Sequence, residues 1–222
     1  MSRLVVKVGG GVAFSVTKQV LELAAEGHEL VVVHGAGPQI SAALARAGIQ
    51  STVVGGRRVT GTDELRVVRR LLKTVNGGLC LALGPTAAGY LGDEIGLQAT
   101  RIPELGHVGA PRRSRPAVVE AALAEGRLPV VAPLAEGPLN VNADEMAGAL
   151  AAGLEADRIM FLTDVAGLLL EGEVVPRIDA GDAEELLERG LLEGGILPKL
   201  RAAVAAARLG VRAEIGETAV VA

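Results

Sequence analysis

Short apolar runs alternate along the chain with longer stretches in which apolar positions recur every three or four residues. The first two runs, at residues 4–8 and 30–33, are almost uninterrupted, which is typical of strands buried on both faces. Each run is followed by glycines and then by a helical pattern. Successive strand–glycine–helix units predict parallel strands covered by helices on both faces, and therefore an α/β fold.

The same alternation continues to the C-terminus. Further strands are predicted at residues 128–131, 158–162, 212–215 and 218–221. Helices are predicted at residues 15–26, 63–83, 115–125, 142–154, 182–189 and 199–209, and from Pro38 onward. We expect Thr62 or Asp63 to cap the helix at 63–83, because a short oxygen-bearing side chain satisfies the first free amides. Residues 84–109 are rich in glycine and turn-forming residues and show no clear pattern.

Composition narrows the possible partners. The 222 residues carry a formal net charge of −4, so no overall basic field attracts nucleic acid or an anionic membrane. Cys80 is the only cysteine, so we expect no intrachain disulfide and a reducing cytoplasm as the compartment. No apolar run is long enough to cross a bilayer, and we find no secretion signal. We therefore expect small-molecule partners, without nucleic acid or membrane.

The first candidate site is Lys7 with the glycines that follow its strand, Gly9, Gly10 and Gly11. A lysine in an apolar strand is costly to bury unless its ammonium meets an anion or reaches solvent. Lys7 lies near the carboxyl end of the strand, where open α/β sheets bind ligands, and glycine amides there can point at phosphate oxygens. The alternative is an edge lysine that reaches water before an ordinary turn.

A second glycine loop, formed by Gly35, Ala36 and Gly37, ends the next strand after His34. Two such loops at neighbouring strand ends, each leading into a helix N-terminus, concentrate anion-binding amides. Neither loop fits the Walker or the Rossmann glycine pattern, so another kind of phosphate site is indicated. We interpret His34 as a structural residue, and the spacing of the histidines does not indicate a metal site.

Two polar segments add candidate substrate and catalytic residues. Arg57 or Arg58 could clamp an acidic substrate with its planar guanidinium, or could be an ordinary surface arginine of a hairpin. Asn140 or Asn142 could cap the following helix, while the alternative is that Asn140 binds substrate. Asp144 would lie in the first turn of that helix, where it either favours the helix dipole or holds one or two active-site lysines.

Near the C-terminus, Lys199 follows Gly195 and Pro198 at a helix start. A cation at that place opposes the helix dipole, and a bound phosphate would reverse the penalty. Asp164 follows another strand and could line a nucleotide pocket or occupy a turn.

Taken in order, these segments resemble the amino-acid kinase family along nearly the whole chain, and within it the acetylglutamate kinases. The motifs that carry the resemblance are VKVGGG, VVVHGAGPQI, GRRVT, ELGHVG, LPVVAP, NVNADEMAGALAAGLEAD, FLTDVAGLL and GGILPKL. The resemblance implies a three-layer αβα sandwich around a mainly parallel open sheet. It implies ATP-dependent phosphorylation of the side-chain carboxylate of N-acetyl-L-glutamate, a step of arginine biosynthesis, with an acyl-substrate lobe at residues 1–130 and an ATP lobe at 131–222.

The resemblance also implies roles for individual residues. Three of them would be catalytic, with both lysines stabilising the transferring phosphoryl group: Lys7, Lys199 and Asp144. Five would contact the substrate: Gly35, Ala36, Gly37, Arg58 and Asn140. Five would border the nucleotide: Gly9, Gly10, Asp164, Gly167 and Gly195. Mg²⁺ would be held mainly by ATP oxygens and water, so no protein metal site is expected.

Three features of the chain depart from the family pattern. Ala36 stands in place of the middle glycine of HGGG, and we expect it to narrow the backbone approach to the substrate. Residues 215–218 are expected to join two strands directly, which trims the nucleotide side. No helical extension precedes Met1; since that helix accompanies hexamers and arginine feedback in the family, we expect a homodimer that is insensitive to arginine.

Two other functions stay open at this level. A kinase of carrier-protein-linked aminoadipate or glutamate, in lysine biosynthesis, would need a basic docking surface, for which the cluster is Arg112, Arg113 and Arg115. A non-catalytic nucleotide or metabolite sensor on the same fold is favoured by the altered glycine motif and the shortened C-terminus, and disfavoured by the retained lysines.

Overall fold

The structure, a computed structural model, describes residues 2–11, 15–163, 165–192 and 194–222. Its α-helices are α1 (Thr17–Ala25), α2 (Gly37–Arg46), α3 (Thr62–Leu83), α4 (Ala117–Ala124), α5 (Ala143–Gly153), α6 (Ala180–Glu188) and α7 (Ile196–Arg208). Its strands are β1 (Arg3–Val8), β2 (Glu29–His34), β3 (Val53–Val54), β4 (Arg57–Arg58), β5 (Ala87–Leu91), β6 (Ala99–Arg101), β7 (Val108–Pro111), β8 (Leu128–Ala132), β9 (Leu134–Ala135), β10 (Leu139–Val141), β11 (Arg158–Leu162), β12 (Leu169–Leu170), β13 (Glu173–Val174), β14 (Arg177–Asp179), β15 (Arg212–Ile215) and β16 (Thr218–Val221).

One eight-stranded sheet forms the centre of the molecule, in the order β14-β16-β15-β11-β1-β2-β8-β5. Neighbouring strands are parallel throughout, except for the antiparallel pair of β15 and β16. The prediction of a mainly parallel open sheet is therefore confirmed. β1 lies between β2 and β11, so the carboxyl ends of these three strands meet at one edge.

Alternating side chains of the central strands point into two separate cores. Val5 and Val31 pack with the side chains of α4 to α7, whereas Leu4 and Val6 pack with those of α1, α2 and α3. Side chains of a strand alternate between the two faces of a sheet, so strands that are apolar at every position must be covered on both sides. The result is the three-layer αβα sandwich that the resemblance implied.

A smaller four-stranded sheet, in the order β6-β7-β10-β9, and the hairpins β3–β4 and β12–β13 complete the described strands. Residues 84–109, which showed no clear sequence pattern, contain β5, β6, the start of β7 and two 3₁₀ turns. These strands are short and their sides are neither fully apolar nor regularly alternating, which explains why periodicity does not reveal them.

The N-cap of α3 and the start of α7 differ from the prediction in ways that bear on the site. Gly61, in an extended conformation, is the N-cap of α3, and no side chain caps this helix, so the expectation of Thr62 or Asp63 is wrong. Helix α7 begins at Ile196, so that Lys199 lies within its first turn rather than at its first residue. The direct connection across residues 215–218 is confirmed, because Ile215 pairs with Thr218 in an antiparallel turn. Over the described ranges, none of the helices combines the length and apolarity that crossing a membrane requires.

Candidate active site

The two glycine loops contact each other at the carboxyl ends of β1 and β2. A Cβ atom added to Gly10 would lie 3.0 Å from the backbone nitrogens of Ala36 and Gly37, so a side chain at this position would require the second loop to shift. The side-chain amide of Gln39 donates to the carbonyl of Gly10 at 2.8 Å. The amide of Gly35 donates to the carbonyl of Val8 at 3.0 Å. The loops therefore form one continuous surface of closely spaced backbone.

Lys7 lies beneath this surface and pairs with Asp144. Because alternate residues of β1 point to opposite faces, Lys7 shares the face of Val5, which is covered by α5. Its Nζ lies 2.8 Å from Oδ1 of Asp144, and both residues are only 5% exposed. A buried ammonium is stable only when an anion offsets its lost hydration, and Asp144 supplies that anion.

Asn142 places Asp144 by capping the helix that carries it. Its Oδ1 accepts hydrogen bonds from the backbone amides of Asp144 at 2.8 Å and Glu145 at 3.1 Å. The sequence left the cap open between two asparagines, and the structure assigns it to Asn142. The buried Asn140 instead donates from Nδ2 to Oγ1 of Thr60 at 3.1 Å.

The β3–β4 hairpin brings Arg58 to the same place. Arg58 donates to Oγ of Ser41 at 2.8 Å and to the carbonyl of Gly37 at 3.4 Å, and it also contacts Oγ of Ser51. All these acceptors are neutral, and within the described part of the chain Arg58 forms no ion pair. Burial lowers the pKa of Arg58 below its usual value. A half-buried guanidinium with neutral neighbours favours an incoming anion.

Lys199 also lines the cleft, from the first turn of α7. Its Nζ donates to the carbonyl of Gly195 at 3.2 Å. Lys7 and Lys199, which are 192 positions apart in sequence, line one and the same cleft. Their convergence is the feature on which the expectation of phosphoryl transfer depended.

The cleft has a volume of about 430 Å³, within the range of small-molecule sites. It brings together most of the candidate residues, namely Lys7, Gly9, Gly10, Gly35, Ala36, Gly37, Arg58, Asn140, Asp144 and Lys199. Gly167 and Gly195 do not line it. Asp164 lies outside the described residues.

Gly167 has a local structural reason to be glycine. Its φ is +158°, and a Cβ atom there would lie 2.6 Å from Oγ1 of Thr218. The same hydroxyl accepts a hydrogen bond from the amide of Leu168 at 2.8 Å. Close packing of this loop on β16 therefore accounts for Gly167 without a ligand.

A neighbouring cavity of about 310 Å³ lies beside the C-terminal halves of β11 and β15. Thr163 lines both this cavity and the main cleft, and Glu214, Gly216 and Glu217 also line the cavity. An elongated ligand could therefore run from the lysine pair past Thr163.

Sequence reasoning missed Gln39, Thr60 and Thr163 as residues of the site. Thr163 directly follows β11 at the edge where ligands bind, which is a usable signal. The signal for Gln39 was weaker, since a polar residue in the first turn of a helix is common. The bond of Thr60 to Asn140 links residues 80 positions apart and has no local signal.

Ala36 packs its methyl group into the protein. It is 2% exposed and belongs to the core formed with α1, α2 and α3, while it also lines the cleft.

His34, fully buried at the end of β2, is held as a neutral ring. Its Nε2 accepts a hydrogen bond from Nδ2 of Asn76 at 3.2 Å, which assigns the ring proton to Nδ1. Burial lowers the pKa of His34 from 6.5 to about 4. Among the residues that the structure describes, no group of three or more His, Cys, Asp or Glu side chains is placed to hold a metal ion.

Known proteins resemble this chain over nearly its whole length. Residues 2–216 match the model of the amino acid kinase family. The acetylglutamate kinase of Jannaschia sp. (strain CCS1) is 37% identical over 95% of this chain and 80% of its own length. That of Rubrobacter xylanophilus is 40% identical over 97% of this chain and 88% of its own length.

The fold is also found in solved structures. A protein of Streptococcus mutans UA159 superposes with a TM-score of 0.85 at 26% identity, and the match covers 99% of this chain and 98% of that one. The sequence match over almost the whole chain, the parallel sheet and the lysine-lined cleft lead to one conclusion: this chain belongs to the amino acid kinase family and is a kinase.

Proposed function

We propose that this protein is a kinase that transfers the γ-phosphoryl group of ATP to the side-chain carboxylate of N-acetyl-L-glutamate. In this step a carboxylate oxygen bonds to the γ-phosphorus, the bond from that phosphorus to the β,γ-bridging oxygen breaks, and ADP leaves with the electron pair. The product is an acyl phosphate. The observation that carries the proposal is the convergence of Lys7, Asp144, Lys199 and Arg58 on one cleft, in a chain related to acetylglutamate kinases.

The two lysines would stabilise the negative charge of the transferring group. Phosphoryl transfer requires little covalent chemistry from the protein, and its rate depends on positioning and on preorganised positive charge. The ion pair with Asp144 fixes the ammonium of Lys7 before substrate arrives. Lys199, at the start of α7, would add a second positive charge to the same cleft.

The glycine loops would bind oxygens of the phosphoryl group and of the substrate through backbone amides. Gly9 and Gly10 would face the phosphates, and Gly35, Ala36 and Gly37 would face the acyl substrate. The start of α2 at Gly37 supports this assignment, because a helix N-terminus favours anions. Arg58 would bind the α-carboxylate of the substrate, and Asn140 would contact its polar groups.

The nucleotide would extend from the lysines past Thr163 into the adjoining 310 Å³ cavity. The resemblance assigns Asp164, Gly167 and Gly195 to the border of the nucleotide, and the proposal keeps that assignment. In this arrangement residues 1–130 form the acyl-substrate lobe and residues 131–222 the ATP lobe of the continuous sheet. Because the only described carboxylate that lines the main cleft is the one already paired with Lys7, Mg²⁺ would be held mainly by ATP oxygens and water.

We also propose that the protein is a homodimer of the cytoplasm. Leu81 of α3 is 86% exposed, and the neighbouring strand β5 is an edge of the large sheet. An apolar side chain beside an open strand edge favours association with a second copy. The lone, reduced Cys80 suits a cytoplasmic protein.

The test is a substrate panel assayed with Mg-ATP in the presence of hydroxylamine, which converts acyl phosphates to coloured hydroxamates. We expect hydroxamate and stoichiometric ADP with N-acetyl-L-glutamate, and little of either with L-glutamate or N-acetyl-L-aspartate. Absence of product at millimolar N-acetyl-L-glutamate would refute the proposal. Turnover only with carrier-linked aminoadipate or glutamate would indicate the lysine-pathway kinase, and ATP binding without turnover of any substrate would indicate a sensor.

A further inference from the structure

The β3–β4 hairpin is too small to be stable by itself. Each strand has two residues, and Val53 and Val54 are 56% and 52% exposed. An isolated hairpin is marginal in water even when longer, so contacts with the rest of the protein must fix its place. Its turn residues Gly55 and Gly56 have φ values of +56° and +81°, as a tight two-residue hairpin turn requires.

Three contacts fasten the turn side of the hairpin to α5 and α7. Arg57 forms an ion pair with Glu145 through two nitrogens: Nε lies 3.0 Å from Oε1, and Nη2 donates to Oε2 at 3.0 Å. Nδ2 of Asn142 donates to the carbonyl of Gly56 at 2.8 Å. Gly56 also lies against α7, because a Cβ atom there would be 3.2 Å from Cβ of Pro198.

The next residue of the hairpin reaches the other wall of the cleft. Neighbouring strand residues point in opposite directions, so Arg57 faces α5 while Arg58 reaches Ser41 of α2. The ion pair of Arg57 is only partly exposed, with 31% of the arginine and 24% of the glutamate side chain accessible. An ion pair that forms two contacts and is partly desolvated fixes the relative orientation of its two side chains, in addition to stabilising their contact.

The pair also adjoins the reacting groups. Glu145 is the residue after Asp144, and Asn142 caps the same turn of α5 that holds Asp144 against Lys7. Any displacement of the hairpin would therefore move Arg58 relative to the groups that carry out the transfer.

We propose that Arg57 and Glu145 are positioning residues: their ion pair holds the hairpin against the first turn of α5, so that Arg58 is already in place to receive the substrate carboxylate. The inference rests on the proposed function for its substrate. The ion pair itself spans 88 residues of sequence and belongs to the fold whatever the substrate is.

The kinetic test is a double-mutant cycle with Arg57→Gln, Glu145→Gln and both changes together. We expect each single change to raise KM for N-acetyl-L-glutamate about tenfold, while KM for ATP and kcat change less than twofold. The double variant should be no worse than either single variant, since both remove one interaction. Arg57→Lys, which keeps the charge and loses the two-point geometry, should fall between wild type and Arg57→Gln.

The matched control is Arg189→Gln, which breaks an exposed ion pair with Glu185 on α6 and should leave both KM values unchanged. Unchanged KM for the acyl substrate in the single variants would overturn the proposal. So would equal rises in both KM values, or additive effects in the double variant.

A second readout does not depend on the substrate. Hydrogen–deuterium exchange of the backbone amides at residues 53–58 should be faster in Arg57→Gln and Glu145→Gln than in wild type, with exchange in α6 unaffected. If wild type fails to phosphorylate N-acetyl-L-glutamate, the proposed function fails, and this exchange still decides whether the pair fastens the hairpin. Unchanged exchange in both variants would contradict the positioning role.

Discussion

Protonation of His34 should destabilise the folded protein at mildly acidic pH. The ring is fully buried, its Nε2 already accepts a hydrogen bond from Asn76, and burial lowers its pKa from 6.5 to about 4. A proton on Nε2 would face the amide hydrogens of Asn76, which also bind the carbonyl of Val130 at 2.9 Å. Protonation of His34 is therefore less favourable in the folded state than in the unfolded chain.

The sign and size of the effect follow from linkage. As pH falls below 6.5, the unfolded state takes up the proton first, so the free energy of unfolding decreases until pH reaches about 4 and both states are protonated. The full stabilisation is therefore present above pH 6.5 and is lost towards pH 4. The difference of the two pKa values corresponds to about 3 kcal/mol in total, of which about 2 kcal/mol is lost between pH 7 and pH 5.

Urea unfolding followed by far-UV circular dichroism, at pH 7 and pH 5 and at one protein concentration, measures this loss. His34→Gln keeps an acceptor for Asn76 but cannot titrate, so wild type should lose about 2 kcal/mol more than this variant between the two pH values. Both proteins contain the same carboxylates, so subtracting one loss of unfolding free energy from the other cancels the contribution of the carboxylates. Equal losses in wild type and His34→Gln would refute the reasoning.

Three further predictions concern the cleft and the surface. Lys199→Ala should lower kcat by about 10²- to 10³-fold with little change in melting temperature. Lys7→Ala should also lower kcat, and it should cost about 3 kcal/mol of stability because Asp144 is left buried and unpaired. Steady-state kinetics and urea unfolding check both variants, and an unchanged kcat in either one would contradict the assignment. Arg58→Gln should raise KM for N-acetyl-L-glutamate about tenfold in the hydroxamate assay, and an unchanged KM would exclude it as the carboxylate ligand. Leu81→Arg should convert the homodimer to a monomer in sedimentation velocity experiments, which an unchanged sedimentation coefficient would contradict.

The parts of the site that sequence predicts are those that follow from the ends of parallel strands. Lys7 and the glycines after it must lie beside Gly35–Gly37, because β1 and β2 are neighbouring parallel strands whose carboxyl ends meet. The pairing with Asp144 was an alternative at the sequence level. Geometry decides it, because Lys7 falls on the face of β1 that α5 covers.

Other features depend on contacts that no local pattern reveals. The pairing of Arg57 with Glu145 joins residues far apart in sequence, and nothing near either residue indicates it. Gly167 was assigned to the nucleotide by resemblance, whereas its own environment shows tight packing on Thr218. The N-cap of α3 is Gly61, and the preceding Thr60 is held by backbone hydrogen bonds with Leu105 and His107, which lie far away in sequence.

The central claim is that a carboxylate oxygen of the substrate attacks the γ-phosphorus of ATP in the cleft between the two lysines. The most direct measurement uses N-acetyl-L-glutamate with ¹⁸O in its side-chain carboxylate, Mg-ATP and hydroxylamine, followed by mass spectrometry of the phosphate that is released. Hydroxylamine attacks the acyl carbon, so the account predicts phosphate that carries one ¹⁸O atom from the labelled carboxylate. Phosphate without ¹⁸O, or with ¹⁸O only when the α-carboxylate is labelled, would contradict it.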